Sequence, residues 1–220
     1  TLRSSSAASD VYKRQPRIWR DRSKEEVDAK ILNNDEHTLR MRIPVEGDIS
    51  FEDLVYGEIN TKCSELDDFI IARSDGSPTY NLTVVVDDND MNISHVIRGE
   101  DHISNTPKQM LIYKALGWTM PKFGHLPMIL GSDGKRLSKR HGAKGTSEYK
   151  DLGYLPDTLI NYLALLGWNP GNDDEIFDFN YLQENFSLDK VNKKSAVFDT
   201  IKLEWVSSQN IFKIPAAKLV

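Results

Sequence analysis

Between His95 and Gly117 the chain changes its periodicity, and that change limits the fold more than any other stretch does. His95-Val96-Ile97-Arg98-Gly99 reads as a short strand ending in the polar cluster Glu100-Asp101-His102. Thr106-Pro107 then supplies an N-cap and a first-turn proline, which predicts a helix through Met110, Leu111 and Leu116 to Gly117. A strand that runs into a polar end and on into a helix is the α/β pattern. Such sheets bind ligands beyond the carboxyl ends of their strands, and Arg98 to His102 stand there. Just upstream, Phe69–Ile71 and Leu82–Val86 read as two strands around the turn Ser74-Asp75-Gly76-Ser77-Pro78, the second ending in Asp87-Asp88. Leu39–Val45 alternates apolar with polar residues or proline, a strand with one buried face that Pro44 places at an edge. Ser23 and Glu26 form a capping box ahead of Val27 and Ile31, which starts a short helix.

Past residue 145 the pattern turns helical. Pro156 to Trp168 reads as an amphipathic helix with Leu159, Leu163 and Leu166 on one face, and two weaker helices follow near 178–186 and 198–207. Residues 1–15 offer only Leu2, Val11 and Tyr12 for burial and read as a disordered or non-native tail. The rest holds enough apolar mass for a core, since 39% of the 220 residues are hydrophobic, so wholesale disorder is excluded. One cysteine, Cys63, excludes a disulfide framework and a multi-cysteine zinc site, and reads as a small buried residue. No run of eighteen apolar residues suits a membrane span and no secretory signal opens the chain, so a cytoplasmic protein is expected.

The net charge of −5 argues against a protein that coats nucleic acid, yet five Lys/Arg fall within ten residues: Lys135, Arg136, Lys139, Arg140 and Lys144. A basic run of this kind serves as a solvated loop or a localisation signal. The glycines and serine of Gly134-Lys135-Arg136-Leu137-Ser138-Lys139-Arg140-His141-Gly142 also suit a mobile clamp on a polyphosphate, whose donors close on charge developing at a leaving pyrophosphate.

The RLSKR of that segment resembles the KMSKS signature of class I aminoacyl-tRNA synthetases, in the GKxLSKRHGA wording of bacterial glutamyl-tRNA synthetases. The run from LDDFIIARSDGSPTYN through VIRGEDHISNTPKQM to ALGW resembles the second Rossmann half of those enzymes. YKDLGYLPDTLINYLALLGWNP, EIF and KSAVFDTIKLEW resemble their stem-contact domain. The resemblance covers residues 16–220. It implies an α/β fold, the C-terminal half of a class I synthetase Rossmann domain followed by an α-helical stem-contact domain. It places the end of the connective, acceptor-binding insertion at 16–66, the second catalytic half at 67–150 and an incomplete stem-contact domain at 151–220.

By the same resemblance Lys139 is the catalytic lysine on the ATP phosphates, and Arg136 stands for the signature's first lysine, with its charge kept and its shape changed. Arg136, Leu137, Ser138, Lys139, Arg140 and His102 would contact ATP, His102 against the adenosine. Arg98 would bind glutamate, as a fork of N–H donors suits a carboxylate, and Tyr80 would line the amino-acid pocket. Read alone, Arg98 also fits a turn paired with Glu100 or Asp101, and Tyr80 a core aromatic. Asp87 and Asp88 point to opposite faces of a strand and suit a turn; His125 and His141 have no partners at metal spacing.

The chain departs from the family in lacking a HIGH sequence, an anticodon-binding domain and a cysteine-rich zinc site. It therefore reads as an internal fragment of a synthetase, inactive by itself. The complete enzyme would be a cytoplasmic monomer using ATP with Mg²⁺, and no zinc, to activate L-glutamate and transfer it to the 3′ end of tRNA(Glu). A glutamyl-queuosine tRNA synthetase and a non-catalytic tRNA-binding paralogue are the alternatives.

Overall fold

A computed structural model of the chain describes residues 17–138 and 144–214. The predicted tail at 1–15 lies outside them. The described chain begins with α1 (Lys24–Leu32), β1 (Leu39–Arg40), β2 (Asp48–Asp53), β3 (Gly57–Lys62), β4 (Ile70–Ala72), α2 (Tyr80–Asp90) and β5 (His95–Gly99). A 3₁₀ segment (Glu100–Asn105), α3 (Thr106–Leu116), β6 (Lys122–Leu126) and β7 (Ile129–Leu130) follow. The last elements are α4 (Thr146–Asp151), α5 (Pro156–Gly167), α6 (Phe179–Asn185), β8 (Ala196–Val197) and α7 (Thr200–Phe212). None of these helices is long and apolar enough to cross a membrane. Two compact units result.

The first unit takes in residues up to Phe51, Glu58–His95 and Ser104–Lys122. The predicted capping box is present on α1: Ser23 Oγ accepts the Glu26 N–H and the Glu26 carboxylate accepts the Ser23 N–H. The strand predicted over Leu39–Val45 is cut short. Only Leu39–Arg40 pairs, antiparallel, with β4. The Ile43 N–H instead donates to Asp68 Oδ1 at 2.9 Å, and Pro44 has no N–H with which to continue a ladder. Arg20 donates to both oxygens of the same carboxylate at 2.6 Å. Ile43 is thereby fixed at the centre of a core with Cys63, Leu66 and Leu111. Cys63 is buried, as expected, and its N–H bonds the Gly47 carbonyl beside the paired strands β2 and β3.

Leu82–Val86 is not a strand but the middle of α2. The β-branched run Thr83–Val86 costs helix only a few tenths of a kcal/mol per residue, and packing overrides so small a preference. Leu82 and Val85, three apart, face Ile112 and Tyr113 of α3, and Val85 is fully buried. Gln109 Nε2 donates to Asn81 Oδ1 across the same helix pair at 3.2 Å. Asp87 and Asp88 accordingly sit on the last turns of a helix rather than on a strand. Helix α3 forms where predicted, with Asn105 rather than Thr106 at the cap position and Gly117 closing it at φ +69°.

The second unit takes in Glu52–Gly57, Val96–Ile103 and Phe123–Val220. Here the end of β2, then β6, then β5 lie side by side, with Asp53 opposite Phe123 in a parallel pair. Three successive residues of β6, Phe123, Gly124 and His125, are buried. A Cβ on Gly124 would come within 3.4 Å of Leu54 Cβ, so the strand has neighbours close on that side. Strands β7 and β8 pair in parallel through Ile129 with Ala196 and Leu130 with Val197. The three helices predicted after residue 145 appear at 156–167, 179–185 and 200–212, and α4 precedes them as a helix the sequence reading did not name. On the inner face of α5, Leu159 and Leu166 pack half-buried against the core, and polar residues share that face with them. Its buried residues are Thr158, Asn161 and Tyr162, while Leu163 is 48% exposed. Asn161 bonds the Glu175 carbonyl at 2.9 Å and the Phe177 N–H at 3.3 Å. The Tyr162 hydroxyl donates to the Asp199 carbonyl and accepts the Asp199 N–H. A polar side chain whose bonds are all made can be buried at little cost, so Asn161 and Tyr162 can sit beside the leucines on the inner face. Tyr162 forms one core with Leu203 and Val206; Trp168, Phe177, Leu182 and Val191 form another with Val55.

Candidate active site

The site is built where β5 ends. Arg98 is its penultimate residue, and the 3₁₀ segment begins directly after Gly99. The guanidinium lies 5.9 Å from the centroid of the Phe123 ring, and its Nε donates to His125 Nε2 at 3.2 Å. His125 Nδ1 meets Asp53 Oδ2 at 2.5 Å, with both side chains fully buried. The other carboxylate oxygen, Oδ1, accepts the N–H groups of Val55, Tyr56 and His125 at 3.0, 2.9 and 3.2 Å. Burial works against the Asp53 charge, but these donors outweigh it and hold the carboxyl below its ordinary pKa. Burial also pushes the His125 imidazole down, against the pull of Asp53.

The next two carboxylates are also in use. Glu100 takes the Tyr56 hydroxyl on one oxygen and the Met128 N–H, at 3.0 Å, on the other. Burial and the Glu100 charge together push the Tyr56 hydroxyl far up. Asp101 takes Arg136 Nη1 at 2.8 Å, with His102 Nε2 4.0 Å from the same oxygen. That pair ties the basic loop to the end of β5. The base of the loop is a narrow turn: the Gly131 N–H bonds the Lys135 carbonyl at 2.7 Å and the Leu137 N–H bonds the Ile129 carbonyl at 2.8 Å. Gly134, at φ +72°, turns the chain in a region that side chains rarely adopt.

The second unit thus gathers Arg98, His102, Arg136, Leu137 and Ser138 of the expected site. Tyr80 belongs to the first unit, where it is the first residue of α2 and is half exposed, so it is not a core aromatic. Lys139, Arg140 and His141 lie outside the described residues. Two cavities lie elsewhere. One of about 770 Å³ includes Trp19, Lys30, His37 and Arg40 in its walls, and one of about 530 Å³ includes Trp168, Glu175 and Lys202. Neither includes a residue of the expected site.

The sequence matches the family described as tRNA synthetases class I (E and Q), catalytic domain, over residues 2–205. The chain belongs to that family. This class I (E and Q) synthetase chain is 49% identical over 208 residues to a glutamate–tRNA ligase of Nitrosospira multiformis, covering 94% of the chain and 43% of that relative. It is 54% identical over 173 residues to one from Nitratidesulfovibrio vulgaris, covering 79% and 37%. Its fold is similar to the crystal structure of a glutamate tRNA ligase from Elizabethkingia meningosepticum in complex with its amino acid. The TM-score there is 0.82 at 30% identity, covering 95% of this chain and 46% of that one. A glutamate-tRNA synthetase from Elizabethkingia anophelis gives 0.81. The synthetase chain therefore spans less than half the length of these relatives.

Sequence reasoning missed Asp53 and His125. His125 has no partner at metal spacing, but the paired strands bring Asp53 and Arg98 to it. The one signal was the polar residue within the apolar stretch Phe123–Leu126.

Proposed function

We propose that the complete protein carrying this chain is a glutamate–tRNA ligase. The observation that carries this reading is a strand-end guanidinium, Arg98, on a buried histidine, in a chain of this family. A glutamate carboxylate oxygen attacks the α-phosphorus of ATP, and pyrophosphate leaves as glutamyl-adenylate forms. A ribose hydroxyl of the terminal adenosine of tRNA(Glu) then takes the acyl group and AMP leaves. Arg98 holds a carboxylate of L-glutamate and Tyr80 lines that pocket, while His102 lies against the adenosine. Arg136, Leu137, Ser138, Lys139 and Arg140 close on the phosphates, and the Lys139 ammonium meets the charge that develops on pyrophosphate. ATP would bring Mg²⁺ bound to its phosphates, as the family resemblance implies. On this reading residues 67–150 are the second half of the catalytic fold and 151–220 part of the stem-contact domain, in a monomeric, cytoplasmic enzyme.

The complete protein, assayed with tRNA, should exchange pyrophosphate into ATP only when glutamate is added. The isolated 220 residues, which carry no HIGH sequence, should not. Exchange that ignores glutamate, or that another amino acid drives better, would overturn the reading.

A further inference from the structure

We propose that Asp53 and His125 are positioning residues for Arg98, acting through a fixed arrangement of protons that sets how the guanidinium is presented. The inference rests on the reading of Arg98 as the residue that holds a carboxylate of the substrate.

A guanidinium Nε only donates, so the nitrogen facing it, His125 Nε2, must offer a lone pair. The imidazole is then neutral, with its single proton on Nδ1, and that proton points at Asp53 Oδ2. Asp53 must be an anion in turn, because its other oxygen already accepts three backbone N–H groups. No water reaches either side chain, since both are fully buried. Every proton between the end of β2 and the Arg98 side chain is thereby assigned. The Nε edge of Arg98 is committed to His125, and the reading above assigns the carboxylate to the other end of the guanidinium. Swinging the side chain away would cost the buried His125 Nε2 its Arg98 donor, which favours this orientation of the guanidinium before substrate arrives.

Asp53→Asn tests the proton assignment with almost no change of shape. Its Oδ1 still serves the three backbone N–H groups, so the new NH₂ must face His125 Nδ1. That forces the histidine proton onto Nε2, where it opposes the Arg98 Nε–H. A purely structural network predicts a less stable protein with unchanged substrate affinity; the positioning role predicts a shift in one Michaelis constant. In the complete protein, the glutamate KM in pyrophosphate exchange should rise about tenfold to a hundredfold, the loss expected for one charge-assisted hydrogen bond. The KM for ATP should move less than about threefold. His125→Asn is the second variant: its amide can keep the Asp53 bond but cannot reach Arg98, so it should raise the glutamate KM by a similar factor. Because both act through one contact, the double variant should be no worse than either single one.

Long-range proton–nitrogen NMR of the His125 ring provides a readout without catalysis, with the proton on Nδ1 in the parent and on Nε2 in Asp53→Asn. If the parent shows no glutamate-dependent exchange, the ligase reading fails, and this spectrum still tests the proton assignment. An Nε2–H tautomer in the parent, or an unchanged glutamate KM in both variants, overturns the positioning role.

Discussion

Replacing Arg98 by alanine should do two separable kinds of damage if its guanidinium, which has one edge on a protein partner, also holds the substrate as proposed. On the protein side, His125 Nε2 loses its Arg98 donor inside a ring with no exposure, which costs about 1–3 kcal/mol of stability. A strand-end residue facing only a ligand would cost far less. On the substrate side, a glutamate carboxylate is left unpaired in a partly desolvated pocket, a loss of about 3 kcal/mol or roughly a hundredfold in kcat/KM. Arg98→Lys separates the two effects. An ammonium keeps a donor for His125 but cannot reproduce the planar fork, so most of the stability should return while kcat/KM stays at least about tenfold down. Pyrophosphate exchange across a glutamate titration, read beside thermal melts of the same preparations, measures both. Suppose Arg98→Ala lowers the melting temperature but leaves kcat/KM for glutamate within about twofold of the parent. Arg98 would then be a residue of the turn, and the assignment of the carboxylate site would be refuted.

Lys139→Ala in the complete protein should lower kcat by about a hundredfold with little change in the glutamate KM, because its charge matters mainly as pyrophosphate leaves; steady-state kinetics showing an unchanged kcat would make the loop an ordinary basic run. Acid should destabilise the protein, and the sign follows from the two buried groups. Both His125 and Asp53 have folded pKa values below their ordinary 6.5 and 3.8, so their stabilisation is full above pH 6.5 and is lost as pH falls, histidine first. The loss should approach about 1.4 kcal/mol per pH unit below 6.5 and should be absent from His125→Asn. Denaturant midpoints measured between pH 5 and 8 decide it: a midpoint that rises toward pH 5.5 would mean that the folded histidine carries two protons.

Local signals in the sequence were reliable where the chain's own neighbours decide the structure. The Ser23–Glu26 box, the proline and glycine around α3 and the run of β5 into a polar end each depend on residues a few positions apart. Errors arose where distant residues decide. The valines of α2 favour strand in isolation, and only the packing of Val85 against Ile112 and Tyr113 makes them helical. Leu39–Val45 has a strand's alternation, but the Asp68 carboxylate takes the Ile43 N–H that a ladder would need. On α5 the leucine pattern found the inner face through Leu159 and Leu166 but not Leu163, and it gave no sign that Asn161 and Tyr162 share that face through buried backbone partners at residues 175, 177 and 199. The site divides in the same way. Arg98, His102 and Arg136 were legible as motif residues at a strand end and a basic loop. Asp53 and His125 were not, since neither carries a motif and their meaning lies in a bond between strands.

That bond joins residues 72 positions apart, and the distance has a consequence during synthesis. At about 5–20 residues per second, the end of β2 leaves the ribosome roughly 4–14 s before its partner strand β6 does. For that interval β2, which ends at Asp53, has no β6 beside it, the condition in which unpaired edges stick to one another. A hydrated carboxylate at its tip resists burial in the wrong partner, because almost any other strand would leave the charge without its imidazole and its three N–H donors. The aspartate that later fixes a proton in the finished protein would thus first guard the nascent chain against premature pairing.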